Sequence, residues 1–393
     1  MKKKVKFLTY QQQLDLLRDH GLIITNDRIG IELLKSRGYY NLVNRYKQDL
    51  YRKGKHEYPI QTTLEDLYKY HRMEDDLRDI LFRFTLNIEQ RLKENMSYAL
   101  ASNFGVDPKN CLNPHNFNSR HARKTENILY QFETIIEKPR SQPLKYYKEN
   151  YDVIPPWILL NDAMFGETRM LFSIFPRKLK MYVIKSMLPI LSQDYGSRPT
   201  AHLQDQWDEY VFDNIRAELE KKVDLEHDTD SVIDKATAQL ENEFNNKLIE
   251  LFSTMIRSIN DFRNSLAHGD RLIHFKSRYN LKYNQAQLVI DDYFTKNQFN
   301  NKKLGNGIYG ILLILLLLLD KYDDTLLTQQ LKDWKSRNIR TYNDKKTFSL
   351  FTKNCNLPFN FPREIDEIRK EVFDYFVLGS KGIFGSSKYD DYN

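Results

Sequence analysis

The chain has 393 residues, 41% hydrophobic and 29% charged, so a sizeable core can form. Wholesale disorder is excluded on that ground, and 14 glycines with 12 prolines exclude collagen-like and low-complexity classes. Lysine and arginine exceed aspartate and glutamate by 60 to 53, a net charge of +7 that by itself is only a weak pull toward an anionic partner.

At ~100–200 residues per domain, the length suits two or three domains, or one large body with appendages. Cys111 and Cys355 are too few for a disulfide framework or a Cys-rich zinc site. They predict a reduced, cytoplasmic protein; with nine mostly scattered histidines and neither an HExxH nor a Walker A sequence, no metal centre and no cofactor is expected. The start, MKKKVKFLTYQQQ, is basic but lacks the apolar stretch of a signal peptide. The longest apolar run, 308–319, falls short of the ~20 residues a membrane span needs.

Scarce Gly and Pro favour helices throughout. Thr9 and Gln12 form a capping box before a short helix that stops at Gly21. A second helix runs from Asn26 to Arg37 and ends at Gly38. Thr62 and Glu65 offer another capping box. After it, Leu77, Leu81, Phe84, Ile88, Leu92, Met96 and Leu100 recur at three- and four-residue steps, an amphipathic helix ended by Gly105 and Pro108. Residues 106–156 carry six prolines and read as irregular with short helices inside. Trp157 to Phe175 reads as helix with a kink at Gly166, and Lys178–Leu191 as the next helix.

Residues 205–250 hold fourteen acids against five bases and read as a solvated acidic helix. The strongest pattern follows: Phe244, Leu248, Phe252, Met255, Ile259, Phe262 and Leu266 make one stripe, with Gly269 as its stop. Asn306 to Leu319 is the most buried helix, and the tail frays into GSSKYDDYN. No strand alternation and no 20–50-residue repeat is present. The expected architecture is all-α, with an N-terminal helical region at 1–61, a helical core at 62–320 carrying the acidic insert at 205–250, and a basic C-terminal extension at 321–393.

Bases gather in four stretches. One holds Arg45, Lys47, Arg52 and Lys53 among Tyr39, Tyr40, Tyr46 and Tyr51. Another holds Lys335, Arg337 and Arg340 among Trp334, Tyr342 and Phe348. Cations that neutralise phosphates and rings that stack on unpaired bases suit single-stranded RNA. The plainer reading is solvated helix faces with the rings turned inward. GNGIYG, at 305–310, matches a dinucleotide-binding fingerprint, but the polar, lysine-rich sequence before it is no strand. A flexible loop entering a buried helix accounts for it.

The segment able to carry chemistry is DFRNSLAHGDRL, 261–272. Four residues separate Arg263 from His268, a five-position step of about 140° beyond one helical turn, so the two do not share a face. Arg263 lies at the edge of the stripe, where its stem can follow apolar surface and its head emerge. His268 sits at the helix end. Imidazole moves protons near neutral pH, and guanidinium is a fork for phosphate and its developing charge. With an RNA 2′-OH as internal nucleophile the pair suffices for strand cleavage; the plainer reading is that Arg263 is a surface cation and His268 a helix-end histidine favoured by the macrodipole.

RNSLAHG resembles the R-[polar]-x-x-x-H signature of HEPN-domain ribonucleases, with Asn264 in the polar slot. The chain as a whole resembles the AbiF/AbiD-type abortive infection proteins of the Abi family. The resemblance is carried in order by LTYQQQLDLLRDHGLII, RGYYNLVNRYKQDLY, FTLNIEQRLKENMSYALASNFG, VIPPWILLNDAMFGETRMLFSIF, RNSLAHG and GIYGILLILLLLLDKY, and covers 1–325. It implies a HEPN-type bundle with N- and C-terminal helical extensions. It implies an RNA endonuclease toxin that leaves cyclic phosphate and 5′-OH ends without metal, acts in anti-phage defence, pairs two motifs in a homodimer, and is controlled by a small non-coding RNA. Arg263, Asn264 and His268 would then be catalytic. The family's second histidine and basic run are replaced here by GDRLIHFKSR, in which Arg271 and Arg278 stand as equivalents for RNA binding. The acidic insert is longer than the family's. Two other classes also fit the residues: a non-catalytic RNA-binding or toxin–antitoxin scaffold with a degenerate site, and a substrate or partner of nucleotidyl transfer.

Overall fold

The computed structural model describes residues 6–52, 55–117, 122–188, 229–290 and 294–377. In chain order its α-helices are α1 (Tyr10–Asp19), α2 (Asp27–Arg37), α3 (Lys47–Leu50), α4 (Leu64–Phe104), α5 (Pro108–Cys111), α6 (Ala122–Glu137), α7 (Gln142–Asn150), α8 (Pro156–Asp162), α9 (Phe165–Ile174) and α10 (Arg177–Met187). They continue with α11 (Thr229–Ala267), α12 (Tyr283–Ile290), α13 (Lys296–Asn301), α14 (Ile308–Leu318), α15 (Lys321–Asn338), α16 (Tyr342–Asn354) and α17 (Phe361–Val377). No β-strand occurs among the described residues; one isolated parallel bridge joins Ile23 to Thr63. The protein is all-α, as its periodicity predicts. Residues 205–228 of the acidic segment and the GSSKYDDYN tail lie outside the described residues, as do 189–191 of the expected 178–191 helix.

The chain forms two compact units. The first comprises Met1–Ile80, Arg271–Phe275 and Gln330–Asn360. Its helix ends follow local chemistry. Thr9 and Gln12 make the reciprocal capping box that opens α1, Asn26 caps α2 through Ile29 N, and Gly38 ends α2 at φ +76°. The box before α4 stands one residue later than expected: Thr63 and Asp66 exchange its hydrogen bonds, and Glu65 instead accepts from Thr25. Backbone pairing of Ile23 N with Thr62 O and of Leu64 N with Ile23 O holds the entry extended and sets that start. Leu14, Leu17, Leu34, Leu42, Val43, Leu64 and Leu67 form the N-terminal core. A second apolar group centres on Trp334, which is fully buried against Phe348 and Phe351 and donates Nε1 to Met73 O at 3.2 Å.

A buried carboxylate fastens the short 271–275 segment in this unit. Glu74, with no exposed surface, accepts from Leu272 N at 2.6 Å, Ile273 N at 3.0 Å and Tyr46 Oη at 2.5 Å. Asp49 pairs with Arg271 and, at 2.7 Å, with His274. Two backbone donors aimed at one carboxylate are what a buried charge needs to be tolerated.

The second unit comprises Leu81–Asp270, Lys276–Gln329 and Phe361–Asn393. Its axis is α11, which packs against α9, α10, α12 and α14. The expected stripe is present from Leu248 on: Leu248, Phe252, Met255, Ile259, Phe262 and Leu266 are all buried, and Phe244 at its start is half-buried. Every residue of α14 is buried, which explains its unbroken apolar sequence. Arg91 closes the C-terminal ends of two helices by donating to Leu318 O, Met187 O and Ser186 O. The expected kink at Gly166 falls earlier, as a break between α8 and α9 at Ala163 and Met164. Glu167 causes it by accepting from Met164 N at 2.7 Å, while Arg140 grips both carboxylate oxygens at 2.9 Å. The GNGIYG turn is packed rather than loose. A Cβ on Gly305 would lie 2.3 Å from Asn280 Oδ1, and one on Gly310 would lie 1.9 Å from Leu304 O.

Candidate functional site

The end of α11 is built by its backbone. Asp270 N donates to Ser265 O at 2.9 Å and Gly269 N to Leu266 O at 3.0 Å, the paired bonds of a Schellman stop, with Gly269 at φ +68°. That stop makes His268 the residue that caps the helix, and its side chain is exposed.

Arg263 stands five residues earlier, about 7.5 Å along the axis. Its side chain is 29% exposed, and two contacts aim it. Nη1 donates to Asn264 Oδ1 at 3.3 Å, and Nε lies 3.4 Å from Glu89 Oε2 on α4. Glu89 in turn pairs with Lys93 Nζ at 2.9 Å, one helical turn on, and Lys93 reaches Asn161 O at 3.5 Å. Glu89 and Lys93 are both buried. Two cations share one carboxylate, so the cluster keeps a net positive charge, and Arg263 is its exposed member.

A second carboxylate braces the same helix. Asp261, two residues before Arg263 and buried, accepts from Ser277 Oγ at 3.3 Å and from Arg278 N and Nε at 2.8 and 2.7 Å. The Arg278 guanidinium also pairs with it at 2.6 Å, and that bond raises the arginine above its ordinary value. Burial holds Arg169, another base of this unit, below its own.

The sequence-predicted RNA-binding residues take varied positions. Arg337 and Arg340 are exposed, and Arg45 and Arg52 are half-buried. Lys47 donates to Asn44 Oδ1 at 3.1 Å, and Lys335 to Asn360 Oδ1 at 2.5 Å while lying 4.7 Å from the Phe359 ring centroid. Arg271 is paired with Asp49 and lies 5.1 Å from the Tyr46 ring centroid. Lys53 lies outside the described residues. The interleaved rings mostly serve packing. Tyr46, Trp334 and Phe348 are fully buried, and Tyr39 and Tyr51 pack against the N-terminal core. Tyr40 and Tyr342 are the exposed rings of the two stretches, so the stacking pattern read from sequence is largely a core pattern. Among the described residues, no group of three or more His, Cys, Asp or Glu is arranged to hold a metal ion. No helix of the described residues is long and apolar enough to cross a membrane.

Sequence reasoning passed over Glu89, Lys93 and Asp261. An acid and a base four apart on a helix are common on solvated faces, so only their burial marks the pair out.

A sequence-family profile described as Abi-like protein matches residues 32–274. The chain belongs to the Abi-like family. The matched stretch runs from α2 through the whole of α11 and includes Arg263, Asn264, His268, Glu89 and Asp261. Membership associates this Abi-like protein with abortive infection, a defence against phage. No curated protein and no solved structure matches it.

Proposed function

We propose that this Abi-like protein is an RNA endonuclease toxin of anti-phage defence, with the HEPN-type set Arg263, Asn264 and His268 as its site and no metal in the chemical step. One observation carries the reading. A guanidinium held half-exposed by Asn264 and Glu89 stands on the same helix end as an exposed imidazole. The 2′-OH of RNA attacks the adjacent phosphorus as its proton passes to a base, and the P–O5′ bond breaks as the 5′-oxygen takes a proton. His268 serves one of these proton transfers. Arg263 binds the non-bridging oxygens, whose charge grows in the transition state. The products are a 2′,3′-cyclic phosphate and a 5′-OH. A homodimer supplies a second His268 for the other transfer, Arg337 and Arg340 bind the strand, and a bound non-coding RNA regulates the site.

Purified protein is incubated with RNA in EDTA, and the ends are mapped. We expect cleavage that survives EDTA and falls by ~10²-fold or more in His268→Ala and Arg263→Ala, with circular dichroism spectra unchanged. Wild-type rates in His268→Ala, or complete loss in EDTA, would overturn the proposal.

A further inference from the structure

Outside the motif, the second unit contains a cavity of ≈ 560 Å³ between the segment leading into α12 and the α13–α14 turn. That volume lies within the range of small-ligand sites. Among the described residues its lining has three lysines, Lys282, Lys296 and Lys303, four asparagines including Asn280, and two rings, Tyr283 and Phe299, but no carboxylate. The charge pattern is selective: in a chain with 53 acids, a concave wall whose described residues include three cations and no acid suits an anion.

The walls are fixed before any ligand arrives. Leu281 N donates to Gly305 O and Ser277 N to Asn306 O, both at 2.8 Å. Asn280 and Leu281 approach Gly305 so closely that no side chain fits there. Ser277 and Arg278, at the start of the same wall, are held by Asp261 on α11. Tyr283 is propped against Phe299 in a T-shaped pair, centroids 5.6 Å apart. Phe299 is buried, whereas Lys282, Lys296 and Lys303 are exposed.

We propose that this cavity is a nucleotide-binding site. The lysines meet the phosphate as point charges, the side-chain amides meet the hydrogen-bonding edge of the base, and the Tyr283 ring offers an aromatic surface to its face. A plain anion site would not need the rings and amides, and an apolar ligand would not need the lysines. The source is either a free mononucleotide or one unit of an unpaired RNA strand. The inference stands apart from the nuclease reading, because it uses neither Arg263 nor His268.

The test uses the full chain with His268→Ala, so that no probe is cut. A fluorescent ATP analogue and a 5′-labelled single-stranded RNA decamer are titrated by anisotropy at several salt concentrations. Lys282→Glu with Lys296→Glu should weaken at least one probe tenfold or more. For the decamer, the slope of log K against log salt should shrink by about 0.7 for each phosphate that the protein no longer neutralises. An equal charge change at the exposed Lys109 and Lys145 should cost under threefold. Loss of ATP-analogue binding assigns a free nucleotide, and loss of the decamer alone assigns an RNA strand. Unchanged affinity, an equal loss in the control pair, or binding of neither probe overturns the site. Cleavage assays on the His268-intact chain separate the two readings: a cutting enzyme with an indifferent cavity keeps the nuclease and drops the site, and the reverse result does the opposite.

Discussion

Glu89 is where stability and the candidate site meet, so its removal is the most informative perturbation. Glu89→Ala leaves Lys93, whose side chain is 9% exposed, with only a carbonyl at 3.5 Å and the electrostatic pull of Glu167. Breaking a buried pair from one side costs about 3–5 kcal/mol, because the surviving charge stays desolvated. Arg263 is more exposed and rehydrates, so the loss is assigned mainly to Lys93 and set at about 3 kcal/mol. Adding Lys93→Met removes the stranded charge and should restore about 2 kcal/mol, a coupling within the range seen for touching residues. A chain with two compact units need not unfold in one step. The readout is therefore native-state hydrogen exchange of amides over residues 85–97. A cost below about 1 kcal/mol for Glu89→Ala, or additivity with Lys93→Met within about 0.5 kcal/mol, would refute this account of the cluster.

Three further outcomes are expected. Glu74→Ala leaves Leu272 N and Ile273 N without their acceptor, whereas Tyr46 Oη keeps His71 Nδ1 at 3.0 Å; at about 1–3 kcal/mol for each unsatisfied group, hydrogen exchange at Leu272 and Ile273 should quicken by ~100-fold or more. Asp324 is fully buried, and burial pushes its carboxyl up to about 7 against a partial pull from Arg369. Between the ordinary carboxylate range and about pH 7 the folded chain thus holds a proton that the unfolded chain has released. Stability should fall by about 1.4 kcal/mol per pH unit as pH rises through that window and level off above it, and Asp324→Asn should flatten the dependence in urea titrations at pH 5, 6, 7 and 8. Gly310→Ala would gain ~1 kcal/mol by helix propensity, but its Cβ would lie 1.9 Å from Leu304 O; a net loss of about 2 kcal/mol and a lower thermal midpoint are expected.

Features set by a few neighbouring residues were legible in the sequence. Thr9 with Gln12, Asn26 and Gly38 mark helix ends, and the stripes of α4 and α11 mark buried faces, because capping and periodicity act within one or two turns. The misses share one cause. Thr62 and Glu65 compete with Thr63 and Asp66 for the same cap, and pairing with distant Ile23 decides between them. The break before α9 is set by Arg140 and Glu167, 27 residues apart. Alternating bases and rings look alike whether the rings face water or Trp334's pocket. For the candidate site, Arg263, Asn264 and His268 could be picked out by residue type and helix-end position. The charges that brace them come from α4 and from the 277–278 turn, and no local pattern encodes that meeting.

The composition of α11 changes where the motif begins. From Leu248 to Met255 its buried positions are apolar, but Ser258, Asn260 and Asp261 are also buried. Asp261 is satisfied by Ser277 and Arg278, whereas Ser258 Oγ and Asn260 Oδ1 have no hydrogen-bond partner among the described residues. Each such group costs stability that Ala or Leu at the same place would not. Glu89 and Lys93 add buried charge on the facing helix, and a buried ion pair is commonly no more stable than apolar packing of similar volume. Stability alone therefore does not account for this concentration of polar groups around Arg263. Sites that must hold charge at fixed positions tolerate such costs because preorganised groups need no rearrangement when charge develops on a bound phosphate. Of these polar groups Glu89 is the one that touches Arg263 and, with Asn264, holds its guanidinium at the surface, while Asp261 fixes the 277–278 turn against the same helix.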